Sequence, residues 1–324
     1  MNVKKSAPLV HVISHGPHCL DGITAAVAVA RYYRDATVQV QFSSNAGIND
    51  TLRALRCDPP QAEHEVWITD ISWTDPTVDA HLQALLDRGV RIYWIDHHRT
   101  ALERARAGAV SVQFTDQVLS EAVAASRLTY EYLEARLHTA GDSNDWFAAL
   151  APIVALADDN DRWLHRIAGS RDLARVVSAM DGLEAYEALL HIDAQATPSA
   201  RMRAAAERVA EELPRSFALA ERSRVRHRIA GSDLELVTAI CAGYSSDIAD
   251  AWGRNATNTV FALFDLKSAS VGLRRSPDCR VDLSHLAQAL GGGGHPAAAG
   301  CELPELQRQI AAAVAMLVAP ALAT

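Results

Sequence analysis

Three short stretches carry side chains able to bind divalent cations and handle phosphate. They are SHGPHCLDG, with His15, Cys19 and Asp21; WITD, ending in Asp70; and YWIDHH, with Asp96, His97 and His98. Each follows a run rich in Val, Ile and aromatic residues that reads as a β-strand. Singly, each has an ordinary explanation, since an aspartate after a strand commonly caps the next helix or forms a turn. Together they need separate reasons for standing behind three different strands. If those strands are parallel, their carboxyl ends share one edge, and open α/β sheets bind ligands there. Mixed imidazole and carboxylate donors suit Mn²⁺ first, with Mg²⁺, Zn²⁺ and Fe²⁺ as alternatives. So many acids point to two ions about 3.5–4 Å apart that share a carboxylate, acidify a water and clamp a phosphoryl oxygen. The expected chemistry is hydrolysis of a phosphate ester or anhydride.

The elements that must position these groups alternate strand with helix. Strands are expected over residues 9–14, 37–42, 65–69 and 91–95, with a fifth at 110–114; helices over 23–33, 48–56 and 77–88 lie between them. Asp75-Pro76 and Gly89 bracket the last of these helices. This βαβ pattern predicts a Rossmann-like parallel five-stranded sheet with helices on both faces. Residues 117–213 turn helical, and 193–199 and 214–228 read as punctuation between domains. Strands return at 234–240, 259–265 and 268–274, with a helix at 283–290. The expected organisation is a catalytic domain over 1–195 (sheet core 9–115, helical part 116–195), a helical linker over 196–228, and a smaller α/β domain with a mixed sheet over 229–324.

Composition narrows the partners. The chain has 324 residues, 49% hydrophobic and 22% charged, which suits a soluble globular protein rather than a disordered one. Its net charge of −8 argues against coating long duplex DNA or long single strands, which requires many Lys and Arg on phosphates. A short phosphorylated substrate held by metals and a few arginines remains compatible. Five scattered cysteines without a CxxC read as free thiols of a cytoplasmic protein. No stretch reads as a signal peptide or a membrane span, and a homodimer is allowed without being required.

Two further features bear on chemistry. The block GGGGHPAAAG follows the helix SHLAQAL. Gly291 serves as a helix stop, and Gly292, Gly293 and Gly294 read as a backbone nest for an anion, with His295 adding a donor. Arg274, at the end of the strand in VGLRRS, is placed to grip phosphate, whereas Arg275 is expected to face solvent. In VALADDNDRW, Asp158 and Asp161 are three apart and expected to share a helix face, with Asp159 pointing elsewhere. Alone, that cluster reads as a solvated acidic turn.

SHGPHCLDGITAA, WITDIS, YWIDHH and the distant VGLRRS…VDLSHLAQALGGGGHPAAAG together resemble the DHH phosphoesterase superfamily with its DHH-associated C-terminal domain, over nearly the whole chain. The superfamily includes nano-RNases, RecJ-like exonucleases, cyclic-dinucleotide phosphodiesterases and exopolyphosphatase-like proteins. The resemblance implies His15, the position of Cys19, Asp21, Asp70 and His97 as metal ligands, with Asp70 as the bridge. It implies that Asp96 orients the histidine pair and that His98 contacts the scissile phosphate. It further implies a ligand from the helical region, Asp161 first and Asp158 second. The glycine loop, His295 and Arg274 are implied to hold the non-scissile part of the substrate. The sequence departs from the family at Cys19, where HxxxDxD becomes HxxxCxD. Cys19 is either a buried small residue or a thiolate that shifts metal preference, and His18 is a lesser substitute ligand.

The function expected is two-metal hydrolysis of phosphodiester bonds in short oligonucleotides or related nucleotides. A phosphoanhydride hydrolase acting on pyrophosphate or polyphosphate, and a non-catalytic nucleotide binder with a degenerate metal site, are the alternatives.

Overall fold

The computed structural model describes residues 8–34, 36–59 and 62–322 and divides into two compact units, 1–210 and 211–324. The first begins with β1 (Leu9–His15), α1 (Leu20–Tyr32), β2 (Thr37–Ser43), α2 (Ile48–Ala54), β3 (His64–Thr69), α3 (Pro76–Asp87), β4 (Arg91–Asp96), α4 (Arg99–Arg106) and β5 (Asp116–Leu119). The strands form one parallel sheet in the order β2-β1-β3-β4-β5. The chain adds β2 on one side of β1, then crosses to build β3, β4 and β5 on the other. The topological switch therefore falls between β1 and β3, where such a sheet opens a crevice at its carboxyl edge.

Alternation along the strands divides the core into two layers. Val10, Val12 and Trp67 face a large cluster with Ile23 and Val27 of α1 and Leu133, Ile153 and Leu189 of the helical region. Ile13, Val66 and Ile68 face the other way, onto Ile48 and Leu52 of α2 and Val78 and Leu82 of α3. Interior β3 is buried throughout, whereas edge strand β2 alternates exposed and half-buried residues along most of its length. Asp75 caps α3 by accepting from Thr77 N, and Pro76 occupies its first turn, as its sequence predicts.

The fifth strand is displaced from its expected place. Residues 110–114 are not a strand, because side chains of α3 take their backbone donors: Ser111 N donates to Asp79 Oδ2 at 2.7 Å and Gln113 N to Gln83 Oε1 at 3.0 Å. The ladder on β4 is made instead by β5, inside the stretch expected to lack strands.

The helical part of this unit comprises α5 (Ala125–Ala140), α6 (Asp145–Ala148), α7 (Ala151–Asp161), α8 (Ser170–Ser178), α9 (Gly182–Leu190) and the first half of α10 (Ala200–Ser223). Buried Arg31 of α1 ties this region together. Its guanidinium donates to the carbonyls of Trp146, Leu189 and Leu190, each at 3.1 Å, and of Ile192 at 2.6 Å, beyond the end of α9. Pro214, read from sequence as punctuation, lies inside α10.

The second unit continues with β6 (Val225–Arg228), β7 (Glu235–Cys241), α11 (Ser245–Gly253), β8 (Thr259–Asp265), β9 (Ser270–Arg275), α12 (Leu283–Ala289), β10 (Gly293–His295), β11 (Ala298–Glu302) and α13 (Pro304–Leu322). Its mixed sheet has the order β10-β11-β9-β8-β7-β6, with only β7 and β8 parallel. One face packs on Ala220 of α10 and Ile248 of α11, the other on Leu283 and Ala287 of α12. No helix among the described residues is long and apolar enough to cross a membrane. The α/β class with its five-stranded parallel sheet and separate mixed sheet is as the sequence predicts.

Candidate metal centre

The carboxyl edge of the first sheet is built on buried hydroxyls. At the ends of β1 and β3, Ser14 Oγ donates to Gly22 O at 2.7 Å, and Thr69 Oγ1 donates to Ser14 Oγ at 2.9 Å. This draws the start of α1 against β1 so closely that a Cβ on Gly22 would stand 2.2 Å from His15 O and 3.1 Å from Asp70 Oδ2. The chain turns at Asp70 in the left-handed region (φ 59°), which aspartate tolerates better than most residues. Asp70 N remains bonded to Ile95 O at 3.0 Å, so β4 fixes the turn.

From there Asp70 divides its oxygens between two groups. Oδ2 accepts from Cys19 Sγ at 3.4 Å and stands 3.6 Å from His15 Nδ1. Oδ1 stands 3.3 Å from His97 Nε2 and 3.8 Å from His98 Nδ1. On the second side, His97 Nε2 is also 3.7 Å from Asp21 Oδ2 and 3.5 Å from Asp161 Oδ2. The atoms fall into two triplets, His15–Cys19–Asp70 and Asp21–His97–Asp161, each with its ligand atoms within 4.8 Å of one another. His15, Cys19, Asp21, Asp70, His97 and Asp161 are thus brought together. His18 is exposed.

The electrostatics are those of crowded acids. Burial, and then Asp70 and Asp161, push Asp21 well above the ordinary carboxylate range. Burial also raises Asp161, with Asp70 adding to the shift. Asp70 is held well below its usual value, because imidazoles of His15, His97 and His98 outweigh its burial. Burial opposes the charge on His97, yet Asp161, Asp70 and Asp21 push it up to about 11. Burial, then Asp70, Asp21 and Asp161, raises the Cys19 thiol well above normal. Asp70 Oδ1 and Asp161 Oδ2 are buried with no hydrogen-bond partner among the described residues. Lone pairs crowded together in this way are what paired divalent cations satisfy, so the donor set fits such ions.

Two of these side chains also serve the fold. Cys19 is the N-cap of α1, its sulfur accepting from Gly22 N at 3.5 Å. Asp21 caps α5 from a distance of 104 residues: its Oδ2 accepts from Ala125 N and its Oδ1 from Ser126 N, both at 2.9 Å, and Ser126 Oγ bonds Oδ1 as well. Nothing in CLDG signals that second duty. Asp96 Oδ1 accepts from His97 N at 2.7 Å, His98 N at 3.1 Å and His98 Nδ1 at 2.8 Å, anchoring the pair at the start of α4.

The acid cluster of α7 separates where sequence spacing predicted a shared face. Asp158 turns to the start of α5, accepting from Ala124 N at 2.8 Å and Arg127 Nη1 at 3.3 Å. Asp159 accepts from Arg166 N, Ile167 N and Ser170 Oγ. Asp161, the last residue of α7, reaches the cluster.

In the second unit the glycine block is a strand. Gly292 N donates to Ala287 O at 2.8 Å to finish α12, and Gly293, Gly294 and His295 pair with Gly300, Ala299 and Ala298. Gly292 is dictated by packing, since a Cβ there would lie 2.0 Å from Gly300 O. Gly294 has φ +136°, and its Cβ would lie 2.6 Å from Ala298 O. Close strand approach therefore accounts for these glycines, a requirement that the nest reading did not anticipate. Arg274 is half-buried, donating to Ser246 Oγ at 2.6 Å and to the carbonyls of Leu273 and Ala299. Arg275, expected in solvent, is also half-buried and donates to Val281 O at 2.6 Å.

No protein-family model matches the chain. A curated relative, oligoribonuclease NrnB of Bacillus subtilis (strain 168), is 23% identical over 328 residues, covering 96% of this chain and 77% of that protein. Among solved structures, the pGpG-specific phosphodiesterase PggH of Vibrio cholerae aligns with a TM-score of 0.52 at 14% identity, covering 96% of this chain and 99% of that one. RecJ of Thermus thermophilus in complex with Mn²⁺ aligns with a TM-score of 0.53 at 16% identity, covering 96% of this chain but 52% of RecJ. Motif order, a relative along nearly the whole chain and a shared fold agree, and the resemblance to the DHH phosphoesterase superfamily holds from end to end.

Proposed function

We propose that the protein is a metal-dependent phosphodiesterase that cleaves short oligonucleotides or related small nucleotides. The carrying observation is the carboxylate of Asp70, whose Oδ2 belongs to the triplet with His15 and Cys19 while its Oδ1 stands 3.3 Å from His97 Nε2 of the other triplet. We assign one ion to His15, Cys19 and Asp70 and the other to Asp21, Asp70, His97 and Asp161. When bound, such a pair supplies charge neutralisation at the phosphoryl oxygens and an acidified water. Mn²⁺ is our first choice, from the mixed imidazole and carboxylate donors; RecJ of Thermus thermophilus is known in complex with Mn²⁺ and also with Mg²⁺.

The chain's own residues do the rest. His98 turns its Nδ1 edge to Asp96, which fixes the ring and assigns contact with the scissile phosphate to Nε2. A net charge of −8 suits a short substrate, and the names of NrnB and PggH support that class. The test is Mn²⁺-dependent hydrolysis of a labelled RNA dinucleotide, with release of mononucleotides expected. No turnover on that substrate or on a bis-aryl phosphodiester would refute the reading. Phosphate release from pyrophosphate or polyphosphate without nucleotide cleavage would replace it with the anhydride reaction.

A further inference from the structure

Toward the amino ends of the same strands, away from Asp70, three other metal-binding side chains converge. Leu9 of β1 pairs with His64 of β3, so His11, two residues along, projects from the same face as His64. Cys57, in the connection from α2 to β3, completes the group. One ligand atom from each lies within 4.8 Å of the others. All three residues are buried, His11 at 7% exposure, His64 at 3% and Cys57 at 1%. None has a part in the reaction proposed above.

The hydrogen bonding is already that of a metal site. His64 Nε2 lies 2.9 Å from the carbonyl of Pro59. A carbonyl behind an imidazole sets the tautomer of metal-bound histidines, and here it places the proton on Nε2 and the lone pair on Nδ1. That Nδ1 is 3.1 Å from His11 Nε2. Two nitrogens bound tetrahedrally to one zinc at its usual bond length are separated by roughly 3.3 Å. An ion can therefore take the place of the proton between the rings with little movement, His11 then carrying its proton on Nδ1. Burial, and secondarily His64, holds His11 below its ordinary value and keeps that ring neutral. Burial, then Asp58, raises the Cys57 thiol to about 11, and an incoming cation must displace that proton.

We propose that His11, Cys57 and His64 form a zinc site that ties the connection between α2 and β3 to the sheet. Two imidazoles and a thiolate favour zinc over Mg²⁺ or Mn²⁺, which sets this site apart from the carboxylate-rich centre. His11 also lines a groove with Gln39, Gln41, Leu55 and Arg56, from which an ion would reach the three side chains.

Cobalt(II) is the probe, because thiolate ligation produces a near-ultraviolet charge-transfer band. The protein used is the Cys19→Ser variant, which removes the thiol from the carboxylate-rich centre. Its cobalt form is expected to show that band, to lose it on adding zinc, and to lose it when Cys57→Ser is added. Zinc-loaded wild-type protein is expected to retain one more equivalent after dialysis than Cys57→Ser. Absence of the band in Cys19→Ser protein overturns the proposal without needing the second substitution. A band of undiminished strength after Cys57→Ser overturns it as well. Neither readout depends on phosphodiester hydrolysis, so this site and the proposed reaction fail or stand separately.

Discussion

Cys19→Asp restores the acidic residue of the family's first motif and loads the centre with another charge. The helix should survive, because aspartate is as good an N-cap as any residue and Cys19 already caps α1 through Gly22 N. The cost lies in the centre. Cys19 Sγ stands 3.4 Å from Asp70 Oδ2, and two carboxylates at that spacing repel by about 5 kcal/mol at an effective dielectric constant of 20. Taking up a proton at pH 7 would limit the cost to about 4 kcal/mol, from the distance between that pH and an ordinary aspartate pKa. A net loss of about 2–4 kcal/mol corresponds to a Tm drop on the order of 10 °C for a unit of this size. Divalent cations should reverse the loss, since they bind the same oxygens. The measurement is thermal unfolding in EDTA and across an Mn²⁺ titration, with Cys19→Ser as the uncharged control. Cys19→Asp is expected to unfold earlier than wild type in EDTA and to gain more from Mn²⁺, and its activity ratio of Mg²⁺ to Mn²⁺ should rise because a hard oxygen replaces sulfur. Equal responses of the two proteins to EDTA and Mn²⁺ would refute the placement of Cys19 in the ion-binding group.

Asp161→Ala should cut Mn²⁺-dependent turnover at least 100-fold, whereas Asp158→Ala should leave most of the activity and cost about 1–2 kcal/mol from lost support of the start of α5; paired kinetics and denaturant unfolding separate the two effects. Asp70→Asn should abolish turnover yet fold, because asparagine also accepts φ 59°; residual activity above a few per cent in a metal-saturated assay would remove Asp70 from its shared position. Gly22→Ala should destabilise by about 1–3 kcal/mol and depress activity together, since its Cβ meets His15 O at 2.2 Å; unchanged urea midpoints would contradict that packing. Arg31→Met, which leaves the carbonyls of Trp146, Leu189, Leu190 and Ile192 without their guanidinium donor, should cost about 3 kcal/mol or more by the same measurement.

How far the sequence discloses this molecule depends on whether a residue's partners follow from chain topology. His15, Asp70 and His97 are legible because parallel strands bring their carboxyl ends to one edge whatever lies between them, and the two-residue side-chain period fixes which groups emerge there. The β5 ladder is less legible than β1 or β4. Its four residues DQVL lack an apolar run, and the more strand-like residues 110–114 are drawn off by Asp79 and Gln83. Asp158 and Asp161 show the limit of helical spacing. Three residues apart predicts neighbouring directions, but Ala124 N and Arg127 capture the first carboxylate while the second ends its helix beside His97. The glycine block is decided by β11, a short way downstream, which no local rule requires to approach so closely. His11, Cys57 and His64 stand at the far end of the same scale. His11 is far in sequence from the other two, and only the β1–β3 register places both imidazoles on one face. Chemistry presented at strand ends can therefore be read in advance, whereas chemistry assembled across a sheet face needs the register first.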